Sequence, residues 1–247
     1  MRVISLVPSW TETLIACGIE VVGRTRYCIH PAAAVSGIPV LGGTKQLDWS
    51  RWRHLRADLV VMDREENTQT IADECPFPVF PTHIRAVDDV SATCAALAER
   101  LENVELRTIG ERWRRIVGRA PVPRALSQLP GVVDWWRRPK VEPRQCIYLI
   151  WRKPWMSIGH DTFIASMLTH LGCGWALPRY SEPYPVIELP QPGDPQPLLL
   201  FSTEPYPFER YRAELLKLPF PMALVDGEAF SWFGIRSLAF LERQREV

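Results

Sequence analysis

The first 31 residues constrain the fold of this chain more than any other stretch, because they form a pattern of strand, turn, helix and second strand. The run at 3–7 is continuously apolar, which is typical of a strand buried on both faces. Ser9 stands where a helix cap is expected, and Gly18 stands where that helix should end. Residues 21–22 begin a second strand. Such a unit predicts a parallel sheet.

The same alternation continues through both halves of the chain. Apolar runs at 58–62 and 78–80 alternate with helical patterns in the first half, and runs at 146–151, 198–201 and 222–225 do so in the second. Strands that alternate with short helices indicate parallel sheets with right-handed crossovers. We therefore predict an α/β protein.

One segment between the two halves has a different pattern. Apolar residues within 87–117 recur at spacings of three and four, which is typical of an amphipathic helix, with a shift of phase near its middle. About 32 residues of helix would span roughly 48 Å. We predict one linking helix at 86–119, between an N-terminal lobe at 1–85 and a C-terminal lobe at 120–247. The C-terminal lobe would begin with a Pro-rich lead-in at 120–144.

The composition excludes several classes of function. A formal net charge of +1 gives no electrostatic reason to expect nucleic acid or an anionic membrane as the main partner. No stretch approaches the ~20 apolar residues of a membrane span, so we expect no membrane insertion. The six cysteines lack CxxC spacing, which favours free thiols in a reducing compartment over disulfides.

The sequence shows no secretory leader before its first strand. A charged segment, a long apolar segment and a small-residue cleavage site are all missing from the sequence as it stands. We therefore expect a cytoplasmic protein. The alternative is a periplasmic protein whose leader is missing from the gene model.

Aromatic, cationic and acidic side chains occur together in the loops that follow the predicted strands. In open parallel sheets, ligands bind outside the carboxyl ends of the strands. Rings can stack on a flat ligand, while cations can pair with carboxylates or phosphates at its periphery. The loops in question are 8–12, 27–30, 42–45, 63–67, 151–155, 160–162, 202–206 and 227–232. They predict a site for a large, flat and partly charged ligand.

Two smaller groups of residues allow other interpretations. Cys28 and His30 could be metal ligands, but nothing else in the chain has the spacing of a metal site, so we expect no metal held by the protein. Glu65, Glu66 and Glu204 could act as general acids or bases, or could be solvated loop carboxylates. The sequence contains no GxGxxG, GxSxG or GxxxxGK[ST] motif.

The segment RVISLVPSWTETLIACGIEVVGRT resembles the N-terminal segment of class III periplasmic binding proteins. This family includes the cobalamin-binding and iron-siderophore-binding components of ABC importers. ADLVVMD resembles the second marker strand of the family. Further segments are similar to bacterial helical-backbone metal receptors, namely GRTRYCIHP, LGGTK, REEN, WRKPWMSIGHDTFI, STEPYPF and VDGEAFSWFGIR. The resemblance covers nearly the whole chain.

The resemblance implies two Rossmann-like lobes joined by one long helix, with the ligand in a shallow cleft between them. It also implies a soluble, monomeric, non-catalytic binding protein without an intrinsic cofactor. The ligand would be a metal chelate such as a corrinoid, a heme-like molecule or a siderophore, and the protein partner an ABC permease. Carried over residue by residue, the ligand contacts would be Ser9, Trp10, Tyr27, Gly43, Thr44, Glu66, Trp151, Arg152, Trp155, Phe230 and Trp232.

Two departures from the family pattern favour an alternative. The exported relatives carry a leader, and they carry glutamates that dock on the transporter where this chain has Gln69 and Ser231. The alternative is an intracellular enzyme or cofactor-handling protein that reuses the fold. It would draw on Cys28, His30, Asp63, Glu65 and Glu66 in neighbouring loops.

Overall fold

The computed structural model describes residues 1–191 and 196–244, which form two α/β units. Unit 1 comprises Met1–Ile116 and Trp232–Ala239; unit 2 comprises Val117–Ser231 and the described residues from Phe240 onward. These boundaries differ from the predicted ones at 85/86 and 119/120. The segment Trp232–Ala239 belongs to unit 1 because it is bonded there, for example through the indole N–H of Trp113, which donates to the carbonyl of Gly234 at 3.1 Å.

Unit 1 is built on a parallel sheet, sheet A, in the order β3-β2-β1-β4-β5. Its strands are β1 (Arg2–Ser5), β2 (Glu20–Thr25), β3 (Val40–Gly42), β4 (Leu59–Asp63) and β5 (Val79–Thr82). Its first helices are α1 (Pro8–Ala16), α2 (Ala32–Val35) and α3 (Gln69–Asp73). Ile4, Leu6 and Val60 are fully buried in one core on this sheet. The prediction of a parallel sheet in the first half is confirmed.

The start of α1 differs from the expected cap at Ser9. The N-cap residue is Val7, which makes no side-chain cap bond, and Pro8 takes the first helical position. Proline suits this position because its fixed φ is helical and its missing N–H would have no partner there. Ser9 therefore lies inside the helix, where its carbonyl accepts a hydrogen bond from the Thr13 hydroxyl at 2.7 Å.

The segment predicted as one long helix consists of two helices, α4 (Val87–Leu101) and α5 (Val104–Val117). Glu102 interrupts the segment with a left-handed φ of 52°. Asn103 then caps α5, because its side-chain oxygen accepts the backbone N–H of Leu106 at 2.8 Å. The shift of phase in the apolar pattern marks this break.

The helices α4 and α5 pack against each other. The hydroxyl of Ser91 on α4 donates to the carbonyl of Gly110 on α5 at 2.9 Å. A Cβ on Gly110 would lie 3.1 Å from the Cβ of Cys94, so the absence of a side chain at position 110 permits the close approach. The segment is therefore a helical hairpin, in unit 1 up to Ile116, rather than the one linking helix predicted.

Unit 2 is built on a six-stranded sheet, sheet B, in the order β6-β11-β10-β7-β8-β9. Its strands are β6 (Val132–Arg137), β7 (Cys146–Trp151), β8 (Trp155–Ser157), β9 (Val186–Ile187), β10 (Leu198–Ser202) and β11 (Met222–Val225). The remaining helices are α6 (Phe163–His170), α7 (Arg212–Leu215), α8 (Gly227–Ser231) and α9 (Ile235–Arg243), the last shared between the units.

The three central strands of sheet B, β11, β10 and β7, are parallel, as the sequence predicts. The sequence did not predict the antiparallel strands at its edges. In particular, β6 lies inside the Pro-rich lead-in at 120–144 and pairs with β11. Within the described residues, no helix is long and apolar enough to cross a membrane.

Candidate functional site

Aromatic rings cluster at the carboxyl edge of sheet B. Trp151 ends β7, and its ring meets that of Tyr206, which follows β10, edge-on at 5.2 Å between centroids. Tyr206 in turn stacks on Tyr211 at 5.5 Å. Trp151 is 42% exposed and Tyr211 is 39% exposed. We call Trp151, Trp155, Tyr206 and Tyr211 the aromatic surface of unit 2.

Arg152 holds this aromatic surface together. Its guanidinium carbon lies 5.6 Å from the ring centre of Trp155 and 5.4 Å from that of Tyr211, within cation–π distance of both. Both terminal nitrogens bond the carboxylate of Glu214 on α7, one of them at 3.0 Å. The Arg152 side chain is only 10% exposed. Its charge is thus paired with Glu214, and the residue positions rings more than it offers a cation to a ligand.

This ion pair is expected to make the stability of unit 2 depend on acid pH. Hydrogen bonds from Arg152 and its positive charge lower the pKa of the Glu214 carboxyl below its ordinary value. The pair therefore stabilises the fold fully above about pH 4.3, and this contribution is lost as pH falls through the lower, folded-state pKa. Urea unfolding at neutral pH and at about pH 3 should show a smaller acid-induced loss of stability in Glu214→Gln than in the wild type.

The matched control for that experiment is Glu209→Gln, which removes another exposed carboxylate, five residues earlier in the chain. We expect the control to keep the acid response of the wild type. Equal responses in the wild type and in Glu214→Gln would contradict the assignment of the ion pair.

Phe230, a predicted ligand contact, is a core residue of unit 2. It has no exposed surface and packs against Tyr148 at 5.8 Å and Phe240 at 5.5 Å between ring centroids. The neighbouring Ser231 donates its hydroxyl to the Glu204 carboxylate at 2.9 Å. In this structure the ring of Phe230 offers no surface to a ligand.

In unit 1, a network of hydrogen bonds fixes the loops at the carboxyl edge of sheet A. The carboxylate of Asp63 accepts the Thr82 hydroxyl at 2.7 Å and the backbone N–H groups of Ile84 and Glu65 at 3.2 and 2.9 Å. The side-chain amide of Asn67 donates to the carbonyls at the end of β1 and at residue 44. Asp63 and Asn67 are buried, so they shape the edge without facing solvent.

Other predicted contacts of unit 1 lie at the rim of this edge. Tyr27 is 53% exposed. Its ring packs near the backbone of Gly43, because a Cβ added to Gly43 would lie 3.7 Å from that ring. Glu66 is partly exposed, whereas Thr44 and Ser9 are 9% and 5% exposed. Tyr27 and Glu66 are therefore the members of this group with the most surface for a ligand.

The predicted contacts Trp10 and Trp232 are both packed within unit 1. Trp10 is fully buried, and its indole N–H donates to the hydroxyl of Thr82 at 3.1 Å. Trp232 is 8% exposed and lies between the ring of His30, at 5.3 Å, and the guanidinium of Arg236, at 5.2 Å. Trp10 has no surface for a ligand in this structure, and Trp232 has little.

Cys28 and His30 were the candidate metal ligands. The thiol of Cys28 is buried against the Thr25 hydroxyl at 3.1 Å, and burial raises its pKa, which disfavours the thiolate that a metal would need. Over residues 1–191 and 196–244, no group of three or more His, Cys, Asp or Glu residues is placed to hold a metal ion.

Four residues of these sites are not among the ligand contacts that the sequence predicts: Asn67, Tyr206, Tyr211 and Glu214. Tyr206 lies in the predicted strand-end loop at 202–206, and the aromatic residues that follow it in the sequence were an available signal. The pairing of Glu214 with Arg152 had no sequence signal, because 62 positions separate the two residues.

Comparisons with known proteins identify the fold. No protein-family model matches this sequence, and no curated protein matches it significantly. Solved structures do match over nearly the full length. The periplasmic vitamin B12 binding protein BtuF of Vibrio cholerae aligns with a TM-score of 0.67 at 15% identity, covering 98% of this chain and 94% of that one.

Two further structures agree equally well. The periplasmic heme-binding protein RhuT from Roseiflexus sp. RS-1 has a TM-score of 0.69 at 17% identity, covering 98% of this chain and 95% of that one. A possible iron-binding periplasmic solute-binding protein from Staphylococcus epidermidis has a TM-score of 0.68 at 17% identity, with 99% and 97% covered. The chain therefore has the fold of these periplasmic binding proteins, as the resemblance of its sequence predicted.

Proposed function

We propose that this protein is a non-catalytic binding protein that takes a metal chelate, a corrinoid, heme-like or siderophore ligand, on the aromatic surface of unit 2. The observation that carries the proposal is the exposed pair Trp151 and Tyr211, with Tyr206 between them, at the carboxyl edge of sheet B. Such an edge is where open α/β sheets bind ligands.

The named binding proteins of this fold support the ligand class. One binds vitamin B12 and another binds heme, both of which are large metal chelates with a flat ring system. Aromatic side chains suit such ligands because a ring can bury a large apolar area at low entropic cost. The position of Trp151 at the end of a rigid central strand fits that role.

The structure gives less support to the alternative of an enzyme. Burial raises the pKa of the Cys28 thiol, which makes it a poor nucleophile. The Asp63 carboxylate accepts three hydrogen bonds from Thr82, Ile84 and Glu65, which is the environment of a structural carboxylate. Neither group is exposed to a reactant.

Equilibrium titration of the purified protein tests the proposal. Tryptophan fluorescence would be followed while cobalamin, heme or a ferric siderophore is added, with serum albumin as the control for non-specific heme binding. We expect saturable one-site binding of one chelate with a Kd below about 100 μM, or about −5.5 kcal/mol. Failure of all three chelates to bind below that concentration would contradict the ligand class.

A further inference from the structure

A groove lies at the amino edge of sheet B, whereas the aromatic surface of unit 2 lies at the carboxyl edge. Gln196 shortly precedes β10, Pro221 immediately precedes β11, and Arg137 ends the antiparallel β6 at the same edge. The groove has a volume of about 520 Å³. Its lining shares no residue with the aromatic surface of unit 2, so a ligand here would be distinct from the proposed chelate.

The lining of this groove is strongly basic. Four cationic residues contribute to it, namely Arg137, Arg138, Lys140 and Lys217. None of its described lining residues is acidic. We call it the basic groove. The concentration contrasts with the whole chain, whose formal net charge is only +1. Cations gathered in a concave surface focus a positive potential that attracts anions.

The wall of the basic groove is fixed by Arg137. Its guanidinium donates to the carbonyls of Leu216 at 2.6 Å and Phe220 at 2.9 Å, and also to that of Leu218. These bonds hold the turn after α7 against β6. The acceptors are neutral carbonyls, so the positive charge of Arg137 is not cancelled by a carboxylate in these contacts.

The other cations of the groove are available at its surface. Arg138, Lys140 and Lys217 are exposed. The guanidinium of Arg138 lies 5.0 Å from the ring centre of Trp135, a cation–π contact that restricts its orientation. Lys217 also lies close enough to Glu214 to lower the pKa of that carboxyl, although Glu214 is itself paired with Arg152.

We propose that the basic groove binds a phosphate or diphosphate group through Arg138, Lys140 and Lys217. Arginine offers paired N–H donors to phosphate oxygens, and lysine acts as a mobile point charge. A compact anion with more than one negative charge suits a groove whose lining includes three exposed cationic residues. The group could come from free diphosphate or from a nucleoside diphosphate, since both present the same chemistry.

Isothermal titration calorimetry of the full chain at low salt tests the proposal. Pyrophosphate and adenosine diphosphate would be titrated separately into the wild type, into Lys140→Gln/Lys217→Gln, and into a matched control, Arg107→Gln/Arg114→Gln. The control removes two exposed cations from α5 in unit 1 and changes the net charge by the same amount.

We expect pyrophosphate to bind the wild type with a Kd below about 1 mM and the groove variant at least about tenfold more weakly. The control should keep the wild-type affinity. Tighter binding of adenosine diphosphate than of pyrophosphate would identify a nucleotide as the source, and equal binding would identify free diphosphate.

Two results would overturn the proposal. One is the absence of pyrophosphate binding to the wild type at about 1 mM. The other is an equal loss of affinity in both double variants, which would show non-specific attraction to net charge. Neither result would bear on chelate binding at the aromatic surface of unit 2, which involves other residues.

Discussion

Replacing Gly172 by alanine is expected to destabilise unit 2 by about 3 kcal/mol or more. Gly172 follows α6 with a φ of +82°, and its N–H and that of Cys173 bond the carbonyls of Thr169 and Leu168, as in a Schellman motif. A Cβ at this position would lie 1.9 Å from the carbonyl oxygen of Val122, which is backbone and has little freedom to move. Thermal and urea unfolding would measure the loss.

Gly18 provides a matched control for this prediction. It follows α1 with a φ of +71° and closes the helix with the same pair of hydrogen bonds, but nothing lies within 4 Å of where its Cβ would be. Gly18→Ala should therefore cost only the backbone strain, about 1 kcal/mol. Equal losses for Gly18→Ala and Gly172→Ala would contradict the packing of α6 against the segment that contains Val122.

Replacing Trp151 by alanine is expected to weaken binding of the chelate by at least about tenfold, or about 1.4 kcal/mol. The ring is 42% exposed and is held edge-on by Tyr206, so it can cover a flat ligand without first being ordered. Because much of the ring is exposed, the substitution should change stability little. The titration described above, repeated with the variant, would measure the affinity.

The matched control is Trp10, a second tryptophan that the sequence predicts to contact the ligand. Trp10 is fully buried and donates to Thr82, so Trp10→Phe should lower stability by about 1 kcal/mol and leave the affinity unchanged. A loss of affinity in Trp10→Phe together with normal binding by Trp151→Ala would contradict the assignment of the surface.

The sequence predicts those parts of the fold that depend on local pattern. Apolar runs place β7 and β11 correctly to the residue, and Gly18 follows the end of α1 as expected. The hairpin at 87–117 was not predicted, because α4 and α5 are each amphipathic and only the Glu102–Asn103 break separates them. The shift of phase near the middle of the segment was the sequence signal of this two-residue turn.

The candidate site was less predictable because it depends on contacts between distant residues. The sequence correctly directs attention to the strand-end loops, where Trp151 and Tyr27 are exposed. It cannot distinguish these residues from Trp10 and Phe230, which occur in similar loops but are fully buried. Nor can it show that the charge of Arg152 is already paired in the fold.

A crystal structure of the protein with the chelate that binds in titration tests the proposed binding surface most directly. We expect a face of the ligand to lie on the ring of Trp151 and to contact Tyr206 or Tyr211, with Arg152 still bound to Glu214. Ligand density at another location, with Trp151 exposed to solvent as before, would contradict it.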